Sequence, residues 1–181
     1  MEGNRFADEG LAKDMKIRLE TPNDIAAIEK TTLSAFTGLF SDHPTEHLII
    51  NGLRDTGALA LSLVAEMDED IVGHAAFSKV TINEEDLGWY GLGPISVTPK
   101  LQRQGIGSAL TKDGLGKLRE MGAKGCVLLG DPEYYQRFGF KPYYGLIYEG
   151  SPDPAHFMAL PFYEGTPTGK VEYHRAFYVP A

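Results

Sequence analysis

The sequence predicts a single α/β domain, one mixed sheet with helices on both of its faces. Two observations carry that expectation. Strand-like runs stand before, between and after segments of helical period, and a Gly-rich turn joins a strand to a helix in mid-chain. The 181 residues, of which 43% are hydrophobic and 23% charged, suffice to bury one core of this kind.

Residues 1–14 show no clear period and read as a loose N-terminal arm, leaving residues 15–181 as the domain. Met15 to Glu20 reads as a short strand. Thr21-Pro22-Asn23-Asp24 is a cap-like turn, and Ile25, Ile28, Leu33 and Phe36 follow at helical spacing. A second helix is expected from Thr45 to Arg54, with Leu48, Ile49 and Leu53 on one face. Ala58 to Glu66 and Ile71 to Ile82 read as two strands joined by a polar hairpin turn, Met67 to Asp70. Gly88 to Val97 reads as a further strand, closed by Pro99, which lacks a ladder donor. A helix from Gly105 to Met121 ends at Gly122. Cys126 to Leu129 is all apolar, as a buried central strand would be. Pro132 to Phe138 reads as a short helix capped by Gly139, and Phe157 to Phe162 and Val171 to Val179 as the last strands.

The formal net charge of −8 argues against a nucleic-acid partner, which wants clustered Lys and Arg, and suits a cationic or amine-bearing one. No apolar run is long enough to span a bilayer, so no membrane partner is expected. Cys126, the only cysteine, cannot form an internal disulfide, and no charged segment followed by an apolar one opens the chain. Both point to the cytoplasm.

The stretch Gln102-Arg103-Gln104-Gly105-Ile106-Gly107-Ser108 lies where a strand gives way to a helix. A helix start offers unpaired N–H groups and the positive end of the dipole, and glycines let a bulky anion approach. A plain strand-to-helix turn would also explain two glycines. The dinucleotide fingerprint is excluded because its third glycine would fall on Leu110; a Walker loop is excluded because Gly169-Lys170 is followed by Val171.

The pattern Gln102-x-x-Gly105-x-Gly107 after the strand resembles the acetyl-CoA loop of the GNAT N-acetyltransferases. Downstream, Tyr134-Tyr135-Gln136-Arg137-Phe138-Gly139-Phe140 resembles their second hallmark, a Tyr four residues before Gly-Phe. The stretch Met15 to Val179 is most similar to the bacterial YhbS-type branch, as are Ile71-Val72-Gly73-His74, Gly130-Asp131-Pro132 and Phe157-Met158-Ala159-Leu160.

The resemblance implies an acyl-CoA N-acyltransferase fold and transfer of acetyl from acetyl-CoA to a primary amine. A non-catalytic acyl-CoA-binding sensor is the alternative. The backbone from Arg103 to Ser108, with the Gln102 and Arg103 side chains, would hold the pyrophosphate. The edge Ile95-Ser96-Val97 would pair with the pantetheine arm, with Tyr134 and Phe138 as further cofactor contacts. The Val97 N–H would polarise the thioester carbonyl, and Tyr135 would protonate the departing thiolate. The acceptor would be a small-molecule or peptide amine, and a homodimer stays open.

A Lys-like amine is neutral at pH 7 only at a cost of about 4.6 kcal/mol, so a base is useful. His74, Asp131, an acidic loop residue and water all remain open. His74 also fits a satisfied core histidine, and Asp131 a helix cap. Glu84, Glu85 and Asp86 read as a solvated turn, and Cys126 as a small buried hydrophobe. His43 and His47 have the spacing of a helical metal pair, but Pro44 intervenes and no third ligand follows, so no metal is expected.

Overall fold

The computed structural model describes residues 14–39 and 41–178; the N-terminal arm lies outside them apart from Asp14. The chain runs β1 (Met15–Leu19), α1 (Ile25–Phe36), α2 (Glu46–Asp55), β2 (Leu59–Met67), β3 (Asp70–Lys79), β4 (Thr81–Ile82) and β5 (Trp89–Val97). Then come α3 (Ile106–Glu120), β6 (Gly125–Leu129), α4 (Pro132–Tyr135), β7 (Lys141–Pro142), β8 (Leu146–Ile147), β9 (Phe157–Pro161) and β10 (Gly169–Glu172). Seven strands form the main sheet in the order β1-β2-β3-β5-β6-β9-β7, and β4-β10-β8 form a small second sheet. In the main sheet β5 and β6 run parallel and the other neighbours antiparallel.

Alternation along the strands divides the core between two faces. Leu61, Leu63, Ala75 and Phe77 pack beneath α3 with Leu110 and Leu118. Val64 and Ala76 face the other way, against Ile28 of α1 and Ile50 of α2. Helices therefore cover both faces, as the sequence predicts. Gly114 sets the approach of α3, because a Cβ there would collide with the Phe77 ring.

The first turn of the domain is pinned by charge. The Arg18 guanidinium donates to Asp24 at 2.7 and 2.9 Å and to Glu66 at 2.6 Å, tying β1 to the start of α1 and to β2. Asp24 also accepts from the Thr21 N–H at 2.7 Å. The hairpin between β2 and β3 turns through Asp68 and Glu69, both at positive φ, as expected from the polar turn.

Two expected strands are corrected. Ile71 to Ile82 is not continuous: β3 ends at Lys79, and Thr81 and Ile82 cross to the small sheet, paired with Glu172 and Val171. Val80 and Ile82 belong to a separate apolar cluster with Trp89, Val127, Phe157 and Val171, and this burial draws the chain out of the main sheet. Val171 to Val179 is also shorter than expected. The strand stops at Glu172, and Arg175–Phe177 forms a 3-10 turn whose Ala176 N–H donates to His174 Nδ1 at 3.1 Å. Val179 lies outside the described residues. Strands β7 and β8, of two residues each, are additional to the expectation.

Candidate active site

The main sheet opens along the β5–β6 seam. Pairing covers only Trp89, Tyr90 and Gly91 against Gly125, Cys126 and Val127; beyond Gly91 the strands part. On its other side β5 stays paired to β3, with an extra residue at Gly93-Pro94 between the pairs Phe77–Leu92 and Ala75–Ile95. The Thr98 N–H donates to Val72 on β3 at 2.8 Å, opposite the next pair Gly73–Val97. Since N–H groups alternate sides along an antiparallel strand, those of Val97 and Ile95 point away from β3, towards the opening. Those of Ser96 point into the β3 ladder.

At one end of this opening the chain turns into α3. Gly105 sits at φ +90° as the residue before the helix, a left-handed conformation that glycine adopts without strain. The first helical bond runs from the Ala109 N–H to Gly105 O, so the N–H groups of Ile106, Gly107 and Ser108 precede the first intrahelical donor. No acidic residue stands in that first turn. Here Val97, Leu101, Gly105, Gly107, Tyr134 and Arg137 wall a cavity of about 440 Å³, with Gln102, Arg103, Ile106 and Ser108 completing it. Arg103 and Arg137 bring two guanidinium groups, and among the described residues the lining holds no carboxylate. The room is real: a Cβ at Gly107 would meet only the Tyr134 hydroxyl at 3.5 Å and Val97 Cγ2 at 3.8 Å.

Helix α4 supplies the opposite wall. Asp131 caps it, its Oδ1 accepting from the Glu133 N–H at 2.9 Å, which settles Asp131 as a cap. The Arg137 guanidinium lies 4.3 Å from the centroid of the Tyr134 ring and donates from Nε to Tyr134 O at 2.8 Å. Tyr135 turns inward against Gly130, its ring centroid 6.1 Å from Phe138 and 6.2 Å from Phe140. Burial, aided by Tyr134 and by the Asp131 carboxylate, pushes the Tyr135 phenol up to about 12. A second cavity of about 430 Å³ adjoins Tyr135, between Phe36, residues Leu92 to Ile95 of β5, Leu129 and Tyr173.

Several expected residues sit differently. Ser96 is 4% exposed, with its hydroxyl 3.4 Å from Thr32 beneath α1; strand alternation removes it from the opening. The Ile106 side chain is core, leaving only its backbone to the cavity. The Gln102 amide donates to Val97 O at 3.0 Å, so it braces the turn against the end of β5. Gln104 points at Lys100 O, at 3.4 Å, and Phe138 packs on the core behind the two tyrosines. His74 is fully buried, with Nε2 2.7 Å from the Ser62 hydroxyl, and burial lowers it to about 4. It is a core histidine. Cys126 is likewise buried and its thiol pushed up by burial. Asp86 pairs with Lys79 at 2.8 Å in an exposed turn. Among the described residues no three metal-ligating side chains gather. None of the helices described is long and apolar enough to cross a membrane.

Comparison with known proteins follows the same lines. The family profile described as "Acetyltransferase (GNAT) domain" matches residues 59–142, from β2 to β7. The uncharacterised N-acetyltransferase YhbS of Escherichia coli strain K12 is 39% identical over 128 residues, 70% of this chain and 74% of that protein. The chain belongs to the GNAT acetyltransferases. Two solved GNAT structures are similar throughout. An acetyltransferase from Brucella melitensis, crystallised with acetyl-CoA, is 47% identical, covers 90% of this chain and 97% of its own, and superposes with a TM-score of 0.81. E. coli YhbS in complex with CoA is 35% identical, covers 92% and 93%, and gives 0.84. This GNAT chain is accordingly an N-acetyltransferase, with the mixed sheet of its family. Arg137 escaped the sequence reading even though it lies inside the second GNAT motif, because nothing in the spacing shows which way it points.

Proposed function

We propose that the β5–β6 opening binds acetyl-CoA and that the enzyme moves the acetyl group directly to a primary amine. The observation that carries this reading is the row of features along β5. A helix start with free N–H groups and two arginines meets the strand at Val97, the strand is unpaired with β6 beyond Gly91, and Tyr135 lines a cavity with Leu92 to Ile95. The pyrophosphate of the donor would lie on Gly105 to Ser108, with Arg103 and Arg137 as charged partners. Gln102 holds the turn in place. The outward edge at Ile95 and Val97 offers a strand partner to the amides of the pantetheine arm. That acetyl-CoA and CoA occupy the two GNAT relatives supports the choice of donor.

The donor supplies an acetyl thioester. The acceptor nitrogen attacks its carbonyl carbon, the C–N bond forms and the C–S bond breaks. The Val97 N–H would donate to the carbonyl oxygen as negative charge develops on it. Tyr135 gives its hydroxyl proton to the departing sulfur and regains one from solvent.

Thermal unfolding tests the donor site. Acetyl-CoA at about a hundred times its Kd stabilises a native state by about 2.7 kcal/mol, or about 5–10 °C in Tm for a domain of this size. Gly107→Glu puts a side chain and a negative charge into the cavity and should abolish the shift, whereas Gly107→Ala, with only ordinary contacts around its Cβ, should keep it. A full shift in Gly107→Glu would remove the turn from the donor site.

A further inference from the structure

The second cavity, of about 430 Å³, has a composition of its own. Phe36, Tyr135, Tyr148, Tyr173 and Phe177 give it aromatic walls, and Glu46, at the first position of α2, is the only charged residue among those described in its lining. Glu46 Oε2 is buried without a hydrogen-bond partner among the described residues. A carboxylate on an otherwise uncharged cavity wall has no partner there, and a cationic donor supplies one. Aromatic faces attract the same kind of group, since each ring presents its negative face to a cation. Among the described residues of the lining there is no Lys or Arg to receive an anion. The volume falls in the range of small-ligand sites.

We infer that this cavity is the acceptor site, that it selects a small primary ammonium compound without a carboxylate, and that Glu46 receives the ammonium group. The inference rests on the acetyl-transfer reading above and names its substrate class. The ammonium donates to Glu46, which takes one proton from it and releases that proton to solvent. The neutral nitrogen then attacks the thioester carbon across Tyr135; as the C–S bond breaks, Tyr135 protonates the sulfur, the second nitrogen proton passes to solvent, and Tyr135 regains a proton from solvent. An acceptor bearing a carboxylate would set that group among aromatic rings, beside Glu46 and with no cationic partner. Such an acceptor is rejected by the penalty for an unpaired buried charge.

Matched amines test this. Phenylalanine, tyrosine, tryptophan and histidine are each compared with the amine left by removal of the carboxyl group, following CoA thiol release and the acetylated product. The expected result is a preference for the decarboxylated partner of about 10²-fold or more in kcat/KM, the loss typical of a buried polar group left unpaired. Glu46→Gln should lower kcat/KM for those amines by about 10²- to 10⁴-fold. It should leave the acetyl-CoA thermal shift unchanged, and Glu46→Asp should restore part of the activity. In calorimetry against the CoA complex, wild type should bind phenethylamine and Glu46→Gln should not. Equal rates within the pairs, or full activity and amine binding in Glu46→Gln, would overturn the inference while leaving acetyl transfer intact. Acetyl-CoA binding with no amine acetylated at all would instead overturn the acetyl-transfer reading, and this inference with it.

Discussion

Replacing Tyr135 by phenylalanine isolates one proton. The ring keeps its seat against Gly130 and its edge contact with Tyr134 at 4.9 Å, so packing is preserved and only the hydroxyl is lost. The phenol stands at about 12, raised first by burial. Against an ordinary thiol near 8.5, transfer of its proton is uphill by about 5 kcal/mol, at 1.36 kcal/mol per pK unit. Burial raises a thiol as it raises a phenol, the direction seen for Cys126 in the core, so a partly buried sulfur narrows that gap. Amine-dependent CoA release should show kcat lower by about 10²- to 10⁴-fold in Tyr135→Phe, with acetyl-CoA affinity nearly intact by calorimetry. The pH profile adds a second readout. An acid must be protonated to act, so wild-type kcat should stay flat through pH 10 and fall only towards the phenol's raised value. Tyr134→Phe is the control: its hydroxyl stands beside Gly107 in the donor cavity, so its loss should touch donor KM and spare kcat. Undiminished kcat in Tyr135→Phe, with chemistry shown to limit the rate, would refute the assignment.

Two further expectations concern stability against pH. Arg18 holds the Asp24 carboxyl down at about 2; its stabilisation is full above the unfolded value near 3.8 and is lost as pH falls to 2. Partial exposure of Arg18 screens the pair, so Asp24→Asn should cost about 1–2 kcal/mol in urea unfolding at pH 7 and almost nothing at pH 2; an equal cost at both would show that charge is not the cause. His74, neutral in the fold with its value lowered to about 4, stabilises fully above its unfolded value near 6.5. Stability should drop by up to about 3 kcal/mol between pH 6.5 and 4 on its account, and His74→Gln should flatten that slope; an unchanged slope would deny His74 this role.

What the sequence disclosed is what depends on neighbours along the chain. The helices, the hairpin at Asp68 and Glu69 and the turn into α3 each carry local signals: caps, turn residues, period and glycines. The turn into α3 proposed to hold the donor was legible for the same reason, since Arg103 to Ser108 form one continuous segment. What failed to show is set by partners far away. Val80 and Ile82 continue the period of β3 and leave it only because Val171 and Phe157 offer a second core. Ser96 alternates correctly with Ile95 and Val97, yet the side each one faces follows from the register with β3, which no local pattern states. Glu46 reads as an ordinary acidic residue in a first helical turn. Its place in a cavity wall appears only when Phe36, Leu129, Tyr148 and Tyr173 are brought together with it from separate parts of the chain.

The division between local and distant signals follows the chemistry of the two substrates. A pyrophosphate is recognised by backbone N–H groups and dipole, which a single turn can provide, and by guanidinium groups on either side of it. An acceptor is recognised by the shape and charge of a cavity, which must be assembled from several elements. Strand β5 joins the two. One edge of it is held in the β3 ladder, which fixes its position; the other is bare beyond Gly91, and a bare strand edge is a template for an extended partner. A donor arm lying along that edge would complete the ladder and carry its thioester towards Tyr135. The small sheet and the 3-10 turn at Arg175–Phe177 then have a defined part, because they bring Tyr173 and Phe177 to the far side of the same point, with ring centroids 4.8 Å apart. On the proposed reading, β5 would bring a locally encoded donor site next to a distantly assembled acceptor cavity. A substitution in the small sheet, remote from every GNAT motif, should therefore alter the choice of amine without altering the hold on acetyl-CoA.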